Sequence, residues 1–246
     1  MALPAEGEVQ IHLLRWKGLP HVRSAFLSLL SPAEQERHSQ IQIPERKKEF
    51  LASRLFLRIL LAGHMGMEMG EIELDQQEKG KPFVRNGALK FNLSHTEGLV
   101  ACSLGREEVG VDLEKTGSLN QLDWRLLSRR FFSAKEQDYL VGQPTHRRAL
   151  TFLSIFTRKE ARAKLSGEGL RLSLPDFTVP LPPMERSETE SIEYFTFTME
   201  KGEYCLSQAT RNLGRKPLRY RIYVWNEAIL TRALEPHLWR RRLPWK

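Results

Sequence analysis

Residues 91–115 read FNLSHTEGLVACSLGREEVGVDLEK. Apolar and polar residues alternate here in short runs around 89–93, 99–104 and 109–114, and Gly98 and Gly105 fall in the connections. That is the pattern of short strands joined by hairpins. In the last run Val109, Val111 and Leu113 alternate with Gly110, Asp112 and Glu114. Strand residues two apart share a face, so one face is apolar and the other carries two carboxylates side by side. Such charges repel unless a cation stands between them. Hard oxygen donors in this arrangement suit magnesium better than a soft metal. An exposed polar edge is the plainer alternative. Ser94 and His95 suit a phosphate by hydroxyl and imidazole, although a hairpin turn also explains them. As strand neighbours they point to opposite faces, so the pair is no evidence of a nucleophile.

Working upstream, Val9, Ile11 and Leu13 alternate as a strand. Ser31-Pro32-Ala33-Glu34 opens a helix with a capping box. Pro44 starts a longer helix with a thick apolar side, for which Gly63 is the expected stop. Arg46, Lys47, Lys48, Arg54 and Arg58 lie along it, either as a solvated face or as a phosphate-binding fringe. Ile72 and Leu74 suggest a strand, and Gly80-Lys81-Pro82 a turn that presents one lysine. Downstream, Ser133-Ala134-Lys135-Glu136 is a second capping box. A long helix then spans about 146–165, with Ala149, Phe152, Leu153, Phe156 and Ala163 as its stripe. Glu160 lies on or beside that stripe, where a carboxylate is costly unless paired or metal-bound; Lys164, one turn on, is its plainest partner. Strands are expected at 177–181, 192–199, 203–209 and 220–225, with a loop between 181 and 192.

Each half thus reads as a long helix followed by antiparallel strands. The expectation is an α+β fold of two similar subdomains, 1–118 and 119–246, with a site where the acid pair meets Glu160 at their interface. The 246 residues are 41% hydrophobic, enough for a real core, and the net charge is +8. A pI of about 9.6 favours an anionic partner: nucleic acid, an acidic protein or a phosphorylated cofactor. A magnesium-dependent nuclease or nucleic-acid-binding protein is therefore the alternative to keep. Cys102 and Cys205 sit in apolar runs, as buried free thiols. No signal peptide opens the chain, and Arg54 and Arg58 interrupt its most apolar segment. A cytoplasmic protein with no membrane contact is expected.

Six places in order resemble the 4′-phosphopantetheinyl transferases, of the monomeric type that activates peptide and polyketide synthetases. They are Gly80-Lys81-Pro82, Phe91-Asn92-Leu93-Ser94-His95, Gly110-Val111-Asp112-Leu113-Glu114, Arg130-Phe131-Phe132-Ser133, Phe156-Thr157-Arg158-Lys159-Glu160-Ala161 and Gly167-Glu168-Gly169-Leu170. The resemblance implies transfer of the phosphopantetheine arm of coenzyme A to a serine of an apo acyl, peptidyl or aryl carrier protein. Adenosine 3′,5′-bisphosphate is released. It implies Mg²⁺, or Mn²⁺ in its place, held by Asp112, Glu114 and Glu160. It makes Glu160 the base for the carrier serine and counts Lys164 with it as catalytic. Lys81, Ser94, His95 and Lys164 contact coenzyme A by motif position, with His95 near its 3′-phosphate. Lys159 projects about 100° away from Glu160, toward a different phosphate or the solvent. Arg46 and Lys47 are candidates for further cofactor contacts. The implied partners are coenzyme A and carrier proteins, not nucleic acid, and the working unit is one chain. Position 156 is Phe where many relatives have Trp, and the tail 238–246 has no assigned role.

Overall fold

Two helices of 22 residues carry the two halves, each because an apolar side lets it cover a sheet. The structure is a computed structural model that describes residues 2–16, 24–85, 87, 89–117, 123–168, 172–184, 186, 191–212 and 217–240. In chain order the elements are β1 (Glu8–Arg15), α1 (Pro32–Gln40), α2 (Pro44–Met65), β2 (Leu74–Gln76), β3 (Pro82–Val84), β4 (Lys90–Thr96), β5 (Leu99–Gly105), β6 (Val109–Lys115), α3 (Trp124–Phe131), α4 (Ala134–Gly142), α5 (Thr145–Ser166), β7 (Ile192–Met199), β8 (Tyr204–Arg211), β9 (Arg219–Trp225) and α6 (Glu227–Arg240).

A four-stranded sheet runs β4-β5-β1-β9 and a three-stranded sheet β6-β8-β7; β2 and β3 form a small ribbon. All pairings are antiparallel except β1 with β9, which is parallel. Hairpins through 89–114 would put the acid-bearing strand in the first sheet. Instead β6 pairs with β8 in the second, with Asp112 opposite Ser207 and Glu114 opposite Cys205. Its other edge meets β4 through side chains. The Val111 N–H donates to Asn92 Oδ1 at 2.9 Å and the Leu113 N–H to Ser94 Oγ at 3.2 Å. The two sheets are therefore stitched together by Asn92 and Ser94 rather than by a backbone ladder.

The alternation along β6 sets the layers. Val109, Val111 and Leu113 pack with Val9, Ile11, Leu13, Leu99 and Leu206 in an apolar cluster between the sheets. Gly110, Asp112 and Glu114 face α5. A side chain at Gly110 would strike the carbonyl oxygen of Ala161 and lie 2.5 Å from the Leu165 nitrogen. Helix and strand touch backbone to backbone here, and neither can yield. Gly110→Ala should thus cost about 3 kcal/mol or more, the upper end for overpacked sites, read as a lowered denaturant midpoint at unchanged slope.

Both capping boxes form as expected. Each also anchors a further tie, and the same tie recurs within each half. Arg58, fifteenth residue of α2, donates to Glu34 Oε2 at 2.7 Å and to the Met69 and Ile72 carbonyls. Lys159, fifteenth residue of α5, donates to Glu136 Oε2 at 2.6 Å and to the Phe177 carbonyl. Each long helix sends one buried cation back to the capping glutamate of the preceding helix and onward to the loop that follows it. Two similar α+β subdomains are built on the same plan.

Three expectations need correction. The helix expected to stop at Gly63 continues to Met65, and Gly66 takes the left-handed cap at φ 68°. Residues 177–181 form no strand, because buried side chains claim their backbone: Arg158 binds the Pro180 carbonyl and Glu136 accepts from the Val179 N–H. The chain also crosses back, since β9 joins the first sheet and Leu230 and Leu234 of α6 pack in the core under α2. The expected boundary between 118 and 119 lies outside the described residues, as do 169–170 of one motif and 241–246 of the tail. Cys102 and Cys205 are free and buried. No helix of the described residues is long and apolar enough to cross a membrane.

Candidate active site

Where β6 lies under α5, Asp112, Glu114, Glu160 and Lys164 come together with Ser94 of β4. Asp112 is buried and Lys164 partly so. Lys164 Nζ donates to Asp112 Oδ1 at 2.6 Å and to Ser94 Oγ at 2.9 Å, and Ser94 Oγ donates to Asp112 Oδ1 at 3.1 Å. Lys164 pairs with Asp112, then, and not with Glu160. One ammonium stands against three carboxylates. Burial, then the Asp112 charge, pushes Glu114 up to about 7; Lys164 opposes the shift and Glu160 adds to it. Burial and Asp112 raise Glu160 as well. Asp112 Oδ2 is buried with no hydrogen-bond partner.

Among the described residues no three His, Cys, Asp or Glu side chains are gathered tightly enough to form a ready ligand set. The chemistry of the donors nonetheless fits a divalent cation. All are hard oxygens, one carboxylate oxygen is orphaned in a buried position, and two carboxyls are raised by burial and by the Asp112 charge, which a cation would offset.

His95 lies on the opposite face of β4 from Ser94, as strand alternation requires. Its ring is exposed, and its Nδ1 is 2.9 Å from Glu49 Oε1 on α2. Arg46 is exposed and Lys47 half-buried, in the first turn of that helix. Next to Glu49, Phe50 borders a cleft of about 660 Å³ that Arg37, Arg54 and Arg85 also line. The guanidinium groups of Arg37 and Arg54 lie 5.8 and 5.2 Å from the Phe50 ring. Arg54 is half-buried, and its Nε is buried without a hydrogen-bond partner among the described residues.

Two expected cofactor contacts lie elsewhere. Lys81 Nζ is buried and filled by Glu108 at 2.8 Å and by the Val109 and Leu165 carbonyls at 3.1 and 3.0 Å. It pins the 80–82 turn to the start of β6 and the end of α5. Lys159 is fully buried on Glu136, with Phe177 beneath its ammonium at 4.4 Å. Burial lowers its basicity and Glu136 opposes that. It faces neither solvent nor the acids of the site.

A model described as the 4′-phosphopantetheinyl transferase superfamily matches residues 108–211, and one described as 4′-phosphopantetheinyl transferase, N-terminal, matches 14–104. The chain is 32% identical over 168 residues to the 4′-phosphopantetheinyl transferase HetI of Nostoc sp., covering 66% of this chain and 69% of HetI. It is 28% identical over 157 residues to the 4′-phosphopantetheinyl transferase Sfp of Bacillus subtilis, covering 63% and 68%. This chain belongs to the 4′-phosphopantetheinyl transferase superfamily. A solved holo-(acyl-carrier-protein) synthase from Bacillus anthracis, in complex with CoA (3′,5′-ADP), matches 42% of this chain and 92% of its own at 18% identity and a TM-score of 0.35.

As a phosphopantetheinyl transferase of the Sfp-like type, the chain is an enzyme. Its family motifs divide by task. In Phe91–His95, Asn92 and Ser94 join the sheets; in Gly110–Glu114, Gly110 admits α5 to the strand. In Phe156–Ala161, Lys159 fastens the scaffold while Glu160, one residue on, faces the acids. Sequence reasoning missed Glu49, Arg37 and the cleft beside Phe50. Two signals were present, the Arg46–Arg58 basic run and Arg37 at the end of the preceding helix, but only packing shows that they share one wall.

Proposed function

We propose that the junction of β6 and α5 moves the 4′-phosphopantetheine arm of coenzyme A onto a carrier-protein serine, with Glu160 as the base. Supporting this is one observation above all. Ser94, Asp112 and Lys164 are hydrogen-bonded together, and Glu114 and Glu160, from two of the family motifs, lie near enough to feel the Asp112 charge. Asp112, Glu114 and Glu160 would hold a magnesium ion. When bound, such an ion neutralises the pyrophosphate and the leaving adenosine 3′,5′-bisphosphate.

The chain's own groups do the rest. Lys164 places a positive charge beside Asp112 and Ser94, where phosphate oxygens gain from it. Glu160, its basicity raised by burial and Asp112, accepts the proton of the serine hydroxyl as that oxygen attacks phosphorus. His95 and Arg46 meet the anionic nucleotide end. The cleft by Phe50 suits the base, since an aromatic face flanked by guanidinium groups favours stacking. The site is completed within one chain, which fits a monomer. The buried free thiols suit a reducing cytoplasm.

The test is the intact mass of apo acyl and peptidyl carrier proteins after incubation with the enzyme, coenzyme A and Mg²⁺, with and without chelator. A gain of about 340 Da that chelator abolishes is expected for a metal-assisted transfer. No gain on carriers of several kinds, with coenzyme A bound normally by calorimetry, would overturn the proposal.

A further inference from the structure

We propose that Glu49 is a positioning residue for the anionic end of coenzyme A, acting through His95. The proposal rests on the reading of His95 as a contact to the 3′-phosphate. Glu49 sits on α2 and His95 on β4, 46 residues apart, and the fold brings Glu49 Oε1 within 2.9 Å of His95 Nδ1. The ring is 57% exposed, but the carboxylate behind it is only 17% exposed. Nε2 makes no hydrogen bond among the described residues.

An exposed imidazole without a fixed neighbour samples several rotamers, and ordering it costs a ligand part of its binding free energy. A half-buried carboxylate selects one ring orientation in advance. It also holds a proton on Nδ1, because the nitrogen that faces a carboxylate is the donor. Nε2 is left as the nitrogen that meets the ligand. A ring that donates from Nδ1 to Glu49 and from Nε2 to a phosphate is an imidazolium with an anion at each end. Glu49 alone would repel a phosphate, so it serves only from behind the ring. Arg46, one turn earlier on α2, supplies positive charge at the same end. As a stability device so exposed a pair contributes little. Its effect belongs in ligand recognition.

The experiment measures kcat and KM with coenzyme A and with 3′-dephospho-coenzyme A. In Glu49→Ala, KM for coenzyme A should rise about tenfold, the lower end for losing such a support, while kcat stays within about twofold. KM for the dephospho form should not move. Glu49→Gln, whose amide oxygen still accepts from Nδ1, should recover most of the loss. The double variant with His95→Ala should be no worse than His95→Ala alone. Equal rises in both KM values, or no rise, would overturn the proposal. His95→Ala separates the underlying reading. If it leaves the preference for coenzyme A over the dephospho form intact, His95 does not meet the 3′-phosphate, and the role of Glu49 falls with it. If His95→Ala erases the preference and Glu49→Ala does not shift it, the Glu49 proposal alone is wrong.

Discussion

Glu160→Gln should give an enzyme that folds, binds coenzyme A within a few-fold of the parent, and turns over ~10²–10⁴-fold more slowly, the range lost with a general base. Gln and Glu have similar volume and helix propensity, so α5 keeps its place on β6. Glu160 is half-buried and carries none of the ties that fix the helix. The substitution removes one negative charge from the cluster, and with it the repulsion from Asp112 that raises the Glu160 carboxyl. Ground-state binding of an anionic cofactor does not suffer from that loss. The rate of proton removal does. Single-turnover kinetics on an apo carrier, beside far-UV circular dichroism and coenzyme A calorimetry, measure the three quantities separately. A near-parental kcat would remove Glu160 from the chemistry.

Lys159→Met should destabilise the protein by about 3–5 kcal/mol, the cost of leaving a buried charge without its partner. Glu136 is completely buried, and its oxygens also accept from the Ser133 and Val179 backbone N–H groups. Without the ammonium this buried carboxyl loses the ion pair it makes at 2.6 Å. The folded fraction should bind coenzyme A with unchanged KM, because Lys159 faces the scaffold and not the cofactor. Adding Glu136→Gln should return much of the loss, since the amide oxygen can still accept from the backbone while the stranded charge is gone. Thermal or urea unfolding of the two variants decides this. A raised KM with undiminished stability would put Lys159 back among the cofactor contacts.

The contrast between residues 159 and 160 shows how far the sequence could be read. Alternation along 109–115 gave the layers of β6, because a strand's two faces follow from its geometry alone. The helix stripe placed Glu160 near the core for the same reason. Which sheet β6 joins was not legible: its register partners lie about a hundred residues away, and both neighbouring edges offer apolar faces. Lys81 and Lys159 were also misplaced. A lysine in a motif looks like a phosphate ligand, and only packing reveals that each ammonium is filled by a carboxylate and by carbonyl groups. Glu49 could not be paired with His95 from sequence, since no local pattern joins a helix to a strand 46 residues on.

The parallel pairing of β1 with β9 has a consequence for synthesis. Residues 8–14 find their partners at 219–225, so β1 waits about two hundred residues of synthesis for β9. A nascent chain that ends before residue 219 exposes one full edge of β1, with its backbone donors and acceptors unmet. Long-range pairing of this kind is slow to form and leaves an edge open to foreign strands meanwhile. The α2 core can assemble early from local contacts, but the second edge of β1 is paired only once β9 has been made. Expression of the first half alone should accordingly yield aggregates, whereas the longer chain covers the β1 edge with the short strand β9.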